Sequence, residues 1–168
     1  MNCTKCQLHK TRTNIVEYRG NLDATILIVG EAPGISEDIL GMPFVGESGK
    51  LLDTLLTRAG VPLDICGFIN TVMCRPCDER GGQNREPTES EIFNCIGNVM
   101  TIYIGLSKLK GIVFAGKISK KYYSKVFKGI PHISIVHPSF LYRQGGPASS
   151  HYRDAMNALR EFYDEIET

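Results

Sequence analysis

Four short runs of β-branched and apolar residues, Ile26–Gly30, Phe68–Val72, Gly111–Ala115 and Ile133–Val136, alternate with stretches of helical periodicity. No other feature restricts the fold as much. The helical stretches are Gly49–Ala59, with leucines at helical spacing, Thr88–Ile104, Lys117–Phe127 and Ser149–Ile166. The second opens TESE, in which a Thr and a Glu three residues on make a capping box. The last places Tyr152, Ala155, Met156 and Leu159 on one side. Strands alternating with helices predict βαβ units and a mostly parallel sheet with helices on both faces. A chain of 168 residues suits one domain, over 1–168. Ligands of such sheets bind beyond the carboxyl ends of the strands. Glu31 follows the first run, Asn70 lies late in the second and His137 follows the last.

Charge narrows the function classes. The formal net charge is +1, so no global field pulls the chain toward nucleic acid or membrane. Any contact with DNA must rest on local patches, either the five lysines of Lys117–Lys128 or the surroundings of Arg143. A solvated surface is the simpler reading of those lysines. No apolar run approaches the ~20 residues of a membrane helix. The start, MNCTKCQLHKTR, has no apolar signal core, so a cytoplasmic monomer without a membrane partner is expected. Six cysteines without an export signal read as metal ligands or buried thiols, not a disulfide framework.

The first strand runs into GEAPGISEDILGMPFVG. Gly30 and Gly34 allow close approach of a ligand, and Pro33 stiffens the turn. A plain strand-to-loop connector would need nothing more, so Glu31 is the surplus. Phe44 in this loop reads first as a core residue. Asn70 ordinarily ties up loop backbone, but it also carries a donor and an acceptor suited to a base edge. In HPSFLYR, Pro138 holds His137 rigidly at the expected crevice. Ser139, Leu141, Tyr142 and Arg143 combine apolar tips with a cation, a set suited to entering a base stack beside a phosphate. Folding of those apolar tips into the core is the simpler alternative.

Cys3-x-x-Cys6 and Cys74-x-x-Cys77 are compact metal-ligand pairs, with Cys66 and Cys95 left over. Paired CxxC motifs suggest zinc, although their separation here exceeds that of a zinc ribbon. Cys66 suits a buried thiol.

Taken in order, GEAPGISEDILGMPFVGESGKLLD, NTVMCRP, NREPTESEIFNC and HPSFLYR resemble the family-4, iron–sulfur uracil-DNA glycosylases. The likeness runs from Cys3 to about Arg143. It implies a three-layer α/β/α sandwich with a central four-stranded parallel sheet. It implies hydrolysis of the N-glycosidic bond of uracil flipped out of single- or double-stranded DNA, the first step of base excision repair. It implies a [4Fe–4S] cluster on Cys3, Cys6, Cys74 and Cys95, joining the N-terminal segment to the domain; zinc is the alternative. Cys77 then falls in CDERGGQ, a stretch longer than the family usually has, and the 77–84 loop is the place for a protein partner.

The resemblance also distributes roles. Phe44 stacks on the base, Asn70 reads O4 and N3, and Glu37 lies where thymine is rejected at C5. His137 donates to O2, Glu31 orients water, and Ala32 and Gly34 line the pocket with their backbone. Ser139, Leu141, Tyr142 and Arg143 contact DNA, with Leu141 the first choice of wedge and Tyr142 the second. The loop ISEDILGMP has no His and no basic cluster, which argues against a covalent variant of the superfamily. The competing functional class is a catalytically silent or altered-specificity protein of this fold that binds DNA or a repair partner.

Overall fold

A computed structural model describes residues 2–168; Met1, counted in the expected domain, lies outside the described residues. The strands are β1 (Arg19–Gly20), β2 (Ile26–Gly30), β3 (Cys66–Asn70), β4 (Gly111–Ala115) and β5 (His132–Ile135). The helices are α1 (Ile35–Leu40), α2 (Glu47–Ala59), α3 (Glu89–Gly105), α4 (Lys117–Tyr123), α5 (Pro138–Arg143) and α6 (Ser150–Glu167).

β2, β3 and β4 are buried along their whole length. This fits apolar runs without polar alternation, which belong in parallel sheets covered on both faces. Successive side chains point to opposite faces. Ile26 and Ile28 accordingly join one core with Leu52, Leu55 and Leu56 of α2, Leu141 of α5 and Leu159 of α6. Leu27 and Val29 join the other, with Ile92 and Val99 of α3 and Tyr123 of α4.

The strand order is β1-β3-β2-β4-β5. β2 pairs in parallel with both β3 and β4, and β4 with β5. The chain therefore steps to one side of β2 and then returns to the other. That reversal at β2 is the switch point where open α/β sheets place their ligands.

The expected four-stranded parallel sheet needs correcting: the sheet has five strands and is mixed. β1 is two residues long and antiparallel to β3, with Arg19 opposite Phe68 and Gly20 opposite Gly67. Two residues leave no periodicity to read. Gly20 adopts φ +129, and a Cβ there would run into the Cys66 carbonyl. β3 also begins and ends two residues before the expected Phe68–Val72, so Asn70 is its last residue. Two loops hold short helices, α1 and α5. The capping box of α3 is present: Glu91 N–H donates to Thr88 Oγ1 at 3.2 Å, and Thr88 N–H donates to Glu91 Oε2 at 2.8 Å. Among the described residues no helix is long and apolar enough to cross a membrane.

Candidate active site and cysteine cradle

At the carboxyl edge, Glu31, Ala32, Gly34, Glu37, Phe44, Asn70, His137, Ser139 and Arg143 line one cavity of about 580 Å³. That lies inside the ~300–1,000 Å³ span of small-molecule sites.

The cavity floor depends on an absent side chain. A Cβ on Gly30 would come within 3.0 Å of both Asn70 Oδ1 and Phe44 Cζ. The amide and the ring thus converge above the end of β2. The Phe44 backbone is left-handed, φ 56, unusual for a residue with a bulky side chain. Gly49 supports this turn, since a Cβ there would collide with the Phe44 carbonyl. The ring packs 5.8 Å from Phe68, centroid to centroid. Asn70 is 3% exposed, and its side-chain amide has no partner among the described residues. A buried amide left open toward a cavity is costly unless something there completes its hydrogen bonds.

His137 N-caps α5. Ser139 N–H donates to its Nδ1 at 3.2 Å, and the Ser139 hydroxyl lies 2.7 Å from the same atom. A backbone N–H can only donate, so Nδ1 is the acceptor and the neutral ring carries its proton on Nε2. Burial, aided by the Arg143 charge, pulls the pKa down to about 4. The ring is therefore neutral at pH 7 and still a donor. Glu31 follows β2, and burial raises its pKa, with a further push from Glu86.

The Glu37 carboxylate is fully engaged with backbone. It accepts from Gly34 N–H at 3.1 Å, Val45 N–H at 3.0 Å and Gly46 N–H at 2.7 Å. Three backbone donors on one carboxylate lock the loop that carries Phe44. Nearby, the buried Asp38 carboxylate accepts from the N–H groups of Thr13 and Asn14, fastening the N-terminal segment to α1.

The expected first wedge residue needs correction. Leu141 is 0% exposed and packed in the core against α2, because α5 turns it inward. Neither Leu141 nor Tyr142 lines the cavity; Tyr142, on the outer side of α5, is 54% exposed.

Sequence reasoning gave no pocket role to Asn84, the end of the 77–84 loop, or to Arg85 and Glu86, yet all three line the cavity. The buried Arg75 guanidinium donates to Asn84 Oδ1 and to the Gly82 carbonyl, folding the 77–84 loop back. Arg85 forks onto Glu91 at 2.8 and 2.9 Å and reaches Asp78 at 2.7 Å. Its charge is consumed there. The sequence marks these residues only as polar; their partners lie across a loop whose path no periodicity predicts.

Cys3, Cys6, Cys74 and Cys95 line a separate cavity with Lys5, Arg12 and Asn98. N–H groups aim at three of the sulfurs: Arg12 Nη1 to Cys74 at 3.4 Å, Met73 N to Cys95 at 3.3 Å and Asn98 Nδ2 to Cys3 at 3.5 Å. These donors favour the thiolate that binds metal, but burial outweighs them at Cys74 and Cys95 and raises both pKa values. Among the described residues no three His, Cys, Asp or Glu side chains are grouped to hold a single metal ion. A cluster takes one sulfur per iron, so its ligands need not meet at a point. Cys77 and Cys66 are buried and lie outside this cavity. The Cys66 thiol contacts the Pro62 carbonyl at 3.3 Å, and burial pushes its pKa up to about 12.

Residues 17–160 match the family model described as the uracil DNA glycosylase superfamily. A type-4 uracil-DNA glycosylase of Pyrobaculum aerophilum is 42% identical over 120 residues, covering 71% of this chain and 58% of that protein. One from Archaeoglobus fulgidus is 39% identical over 127 residues, covering 76% and 61%. One from Thermotoga maritima is 46% identical over 93 residues, covering 55% and 46%. The chain thus spans about half to three-fifths of these relatives. A solution NMR structure of a Methanosarcina acetivorans protein, provisionally described as a uracil DNA glycosylase, superposes with a TM-score of 0.56. It is 11% identical and covers 90% of this chain and 98% of that one, a likeness of fold.

Proposed function

The chain belongs to the uracil DNA glycosylase superfamily, and from that premise we propose that it hydrolyses the N-glycosidic bond of uracil flipped out of DNA, leaving an abasic site. The observation that carries this reading is the convergence of Asn70 Oδ1 and the Phe44 ring over Gly30, in one cavity with Glu31 and a neutral His137.

A base inside a duplex is out of reach, so the nucleotide must leave the stack. Phe44 then offers an aromatic face, worth ~1–3 kcal/mol in stacking. Asn70 gives its N–H to O4 and its carbonyl to the N3 proton. Cytosine inverts that pattern and would leave buried groups mispaired. Glu37 acts as a positioning residue: by holding Gly34, Val45 and Gly46 it fixes the wall that a C5 methyl would meet. Backbone of Ala32 and Gly34 completes that wall.

Breaking the bond leaves positive charge on the sugar and negative charge on the base. His137 donates from Nε2 to O2, where the negative charge gathers; because the ring starts neutral, it does so without giving up its proton. Glu31, ionised, orients a water toward C1′ and steadies the cationic sugar. The water oxygen bonds to C1′, its proton goes to solvent, and the base departs as the anion. Tyr142 is the wedge that replaces the lost base, and Arg143 and Ser139 hold the neighbouring phosphates.

The cysteine cradle fits a [4Fe–4S] cluster, whose contribution would be to tie the N-terminal segment to Cys74 and Cys95. Three residues separate Asn70 from Cys74, so this anchor lies close in the chain to the base-reading amide.

The test is release of uracil from an oligonucleotide. Asn70→Asp or His137→Ala is expected to slow it ~100-fold or more at unchanged fold. Wild-type rates in either variant would remove the assignment.

A further inference from the structure

Outside the pocket, α3 carries an exposed aromatic ring that the reaction does not use. Phe93, on α3, is 61% exposed and stands at 86° to Tyr122 of α4, with ring centroids 6.0 Å apart. Tyr122 is held from behind: its hydroxyl donates to Glu89 at 2.5 Å, and Lys121 Nζ lies 4.6 Å from its ring. Glu89 also receives Lys121, so its charge is spent locally. On the helix of Tyr122 and the turn after it, Lys117, Lys120, Lys125 and Lys128 have no carboxylate partner among the described residues, whereas Lys50, Lys108, Lys110 and Lys121 each have one. Four unpaired cations within twelve residues stand out in a chain whose net charge is only +1.

The chain connects the patch to the cavity at two points. α3 begins three residues after Glu86, which lines it. Gly116, which precedes Lys117, packs on His137, since a Cβ there would lie 3.1 Å from Cδ2. Chain reach keeps Phe93 within ~20 Å of Glu86, a few nucleotides along a strand.

We propose that Phe93, propped by Tyr122, whose helix and following turn carry these four lysines, is a stacking platform for an unpaired base of the DNA strand leaving the pocket. The inference rests on the glycosylase reading and adds a strand preference to it. Unpaired bases are the partner because only they present an open face to a ring. Aromatic platforms along a basic track are how proteins hold single strands without reading sequence. A docked protein fits less well: a stable interface covers ~800 Å² per partner, and one aromatic side chain offers at most ~250 Å².

The experiment compares uracil-containing single strands of two lengths: a trinucleotide, too short to reach α3, and a 15-mer. Phe93→Ala is expected to weaken binding of the 15-mer about tenfold, with trinucleotide cleavage unchanged and Phe93→Trp restoring affinity. Replacing the four lysines by Gln should lower the log–log salt slope on the 15-mer by ~0.7 per lysine. Wild-type affinity of Phe93→Ala for the 15-mer would overturn the proposal, whatever else covers the patch. Equal losses on both lengths, or on a fully paired duplex, would overturn it as well. If the wild-type protein binds the 15-mer through Phe93 but releases no uracil, the platform stands and the glycosylase reading falls.

Discussion

Asn70 Oδ1 and the Phe44 ring approach the same side of Gly30, within the space a single methyl group would occupy. The amide that would read a base and the ring that would carry it are therefore set by one missing side chain. Gly30→Ala keeps backbone geometry accessible to any residue but must displace one or both. Uracil release is expected to fall ~100-fold or more, with thermal stability lowered by ~1–3 kcal/mol from overpacking. Steady-state kinetics beside a denaturant titration separate the two effects.

Acid should switch the proposed activity off through Glu31 before His137. Burial raises the Glu31 pKa above 4.5, while that of His137 sits near 4. The active form, carboxylate ionised and ring neutral, is lost first at the carboxylate as pH falls. Single-turnover rates against pH should show an acid limb above the ordinary glutamate range. Glu86→Gln should move it down, because Glu86 contributes to the upward shift.

The same shifts have opposite signs for stability. The fold favours the neutral form of both groups. For Glu31, stability drops as pH rises from 4.5 through its raised pKa, so Glu31→Gln is expected to stabilise the protein at pH 7 while suppressing activity. For His137, stability rises with pH from about 4 toward 6.5, because only the unfolded chain holds the proton in that window. Chemical denaturation at pH 4, 5.5 and 7 checks both slopes.

Adjacent residues of α5 should behave differently. Leu141→Ala empties a core site and is expected to cost ~2–5 kcal/mol. Tyr142→Ala, at an exposed position, should leave stability within ~0.5 kcal/mol. It should slow uracil release from duplex more than from single strands, where no stack must be refilled. Equal effects on both substrates would take the wedge role from Tyr142.

Iron content should follow the cradle and not the CxxC pattern. Cys74→Ser and Cys95→Ser are expected to lose iron and visible absorption, while Cys77→Ser and Cys66→Ala keep both. Arg12→Gln, which removes the donor to Cys74, should retain iron but bleach faster in air. Metal analysis and absorption spectra decide each case.

By itself the sequence determined the parallel layers and the edge that carries the site. Runs such as ILIVG and GIVFA are short, rich in β-branched residues and without a polar face, so they read as strands covered on both sides, and such sheets collect ligands where their strands end. Glu31, Asn70 and His137 were legible on that ground. Tertiary structure alone decided that Leu141 faces inward and Tyr142 outward, and that Glu37 spends its carboxylate on three backbone N–H groups. It alone turned Arg75 and Arg85 into the clasps of the 77–84 loop, brought Arg19–Gly20 to the sheet edge, and set Phe93 against Tyr122. Periodicity reports which side of one element is buried. Contacts between residues far apart in the chain depend on how elements cross and where loops return, and no local pattern encodes that.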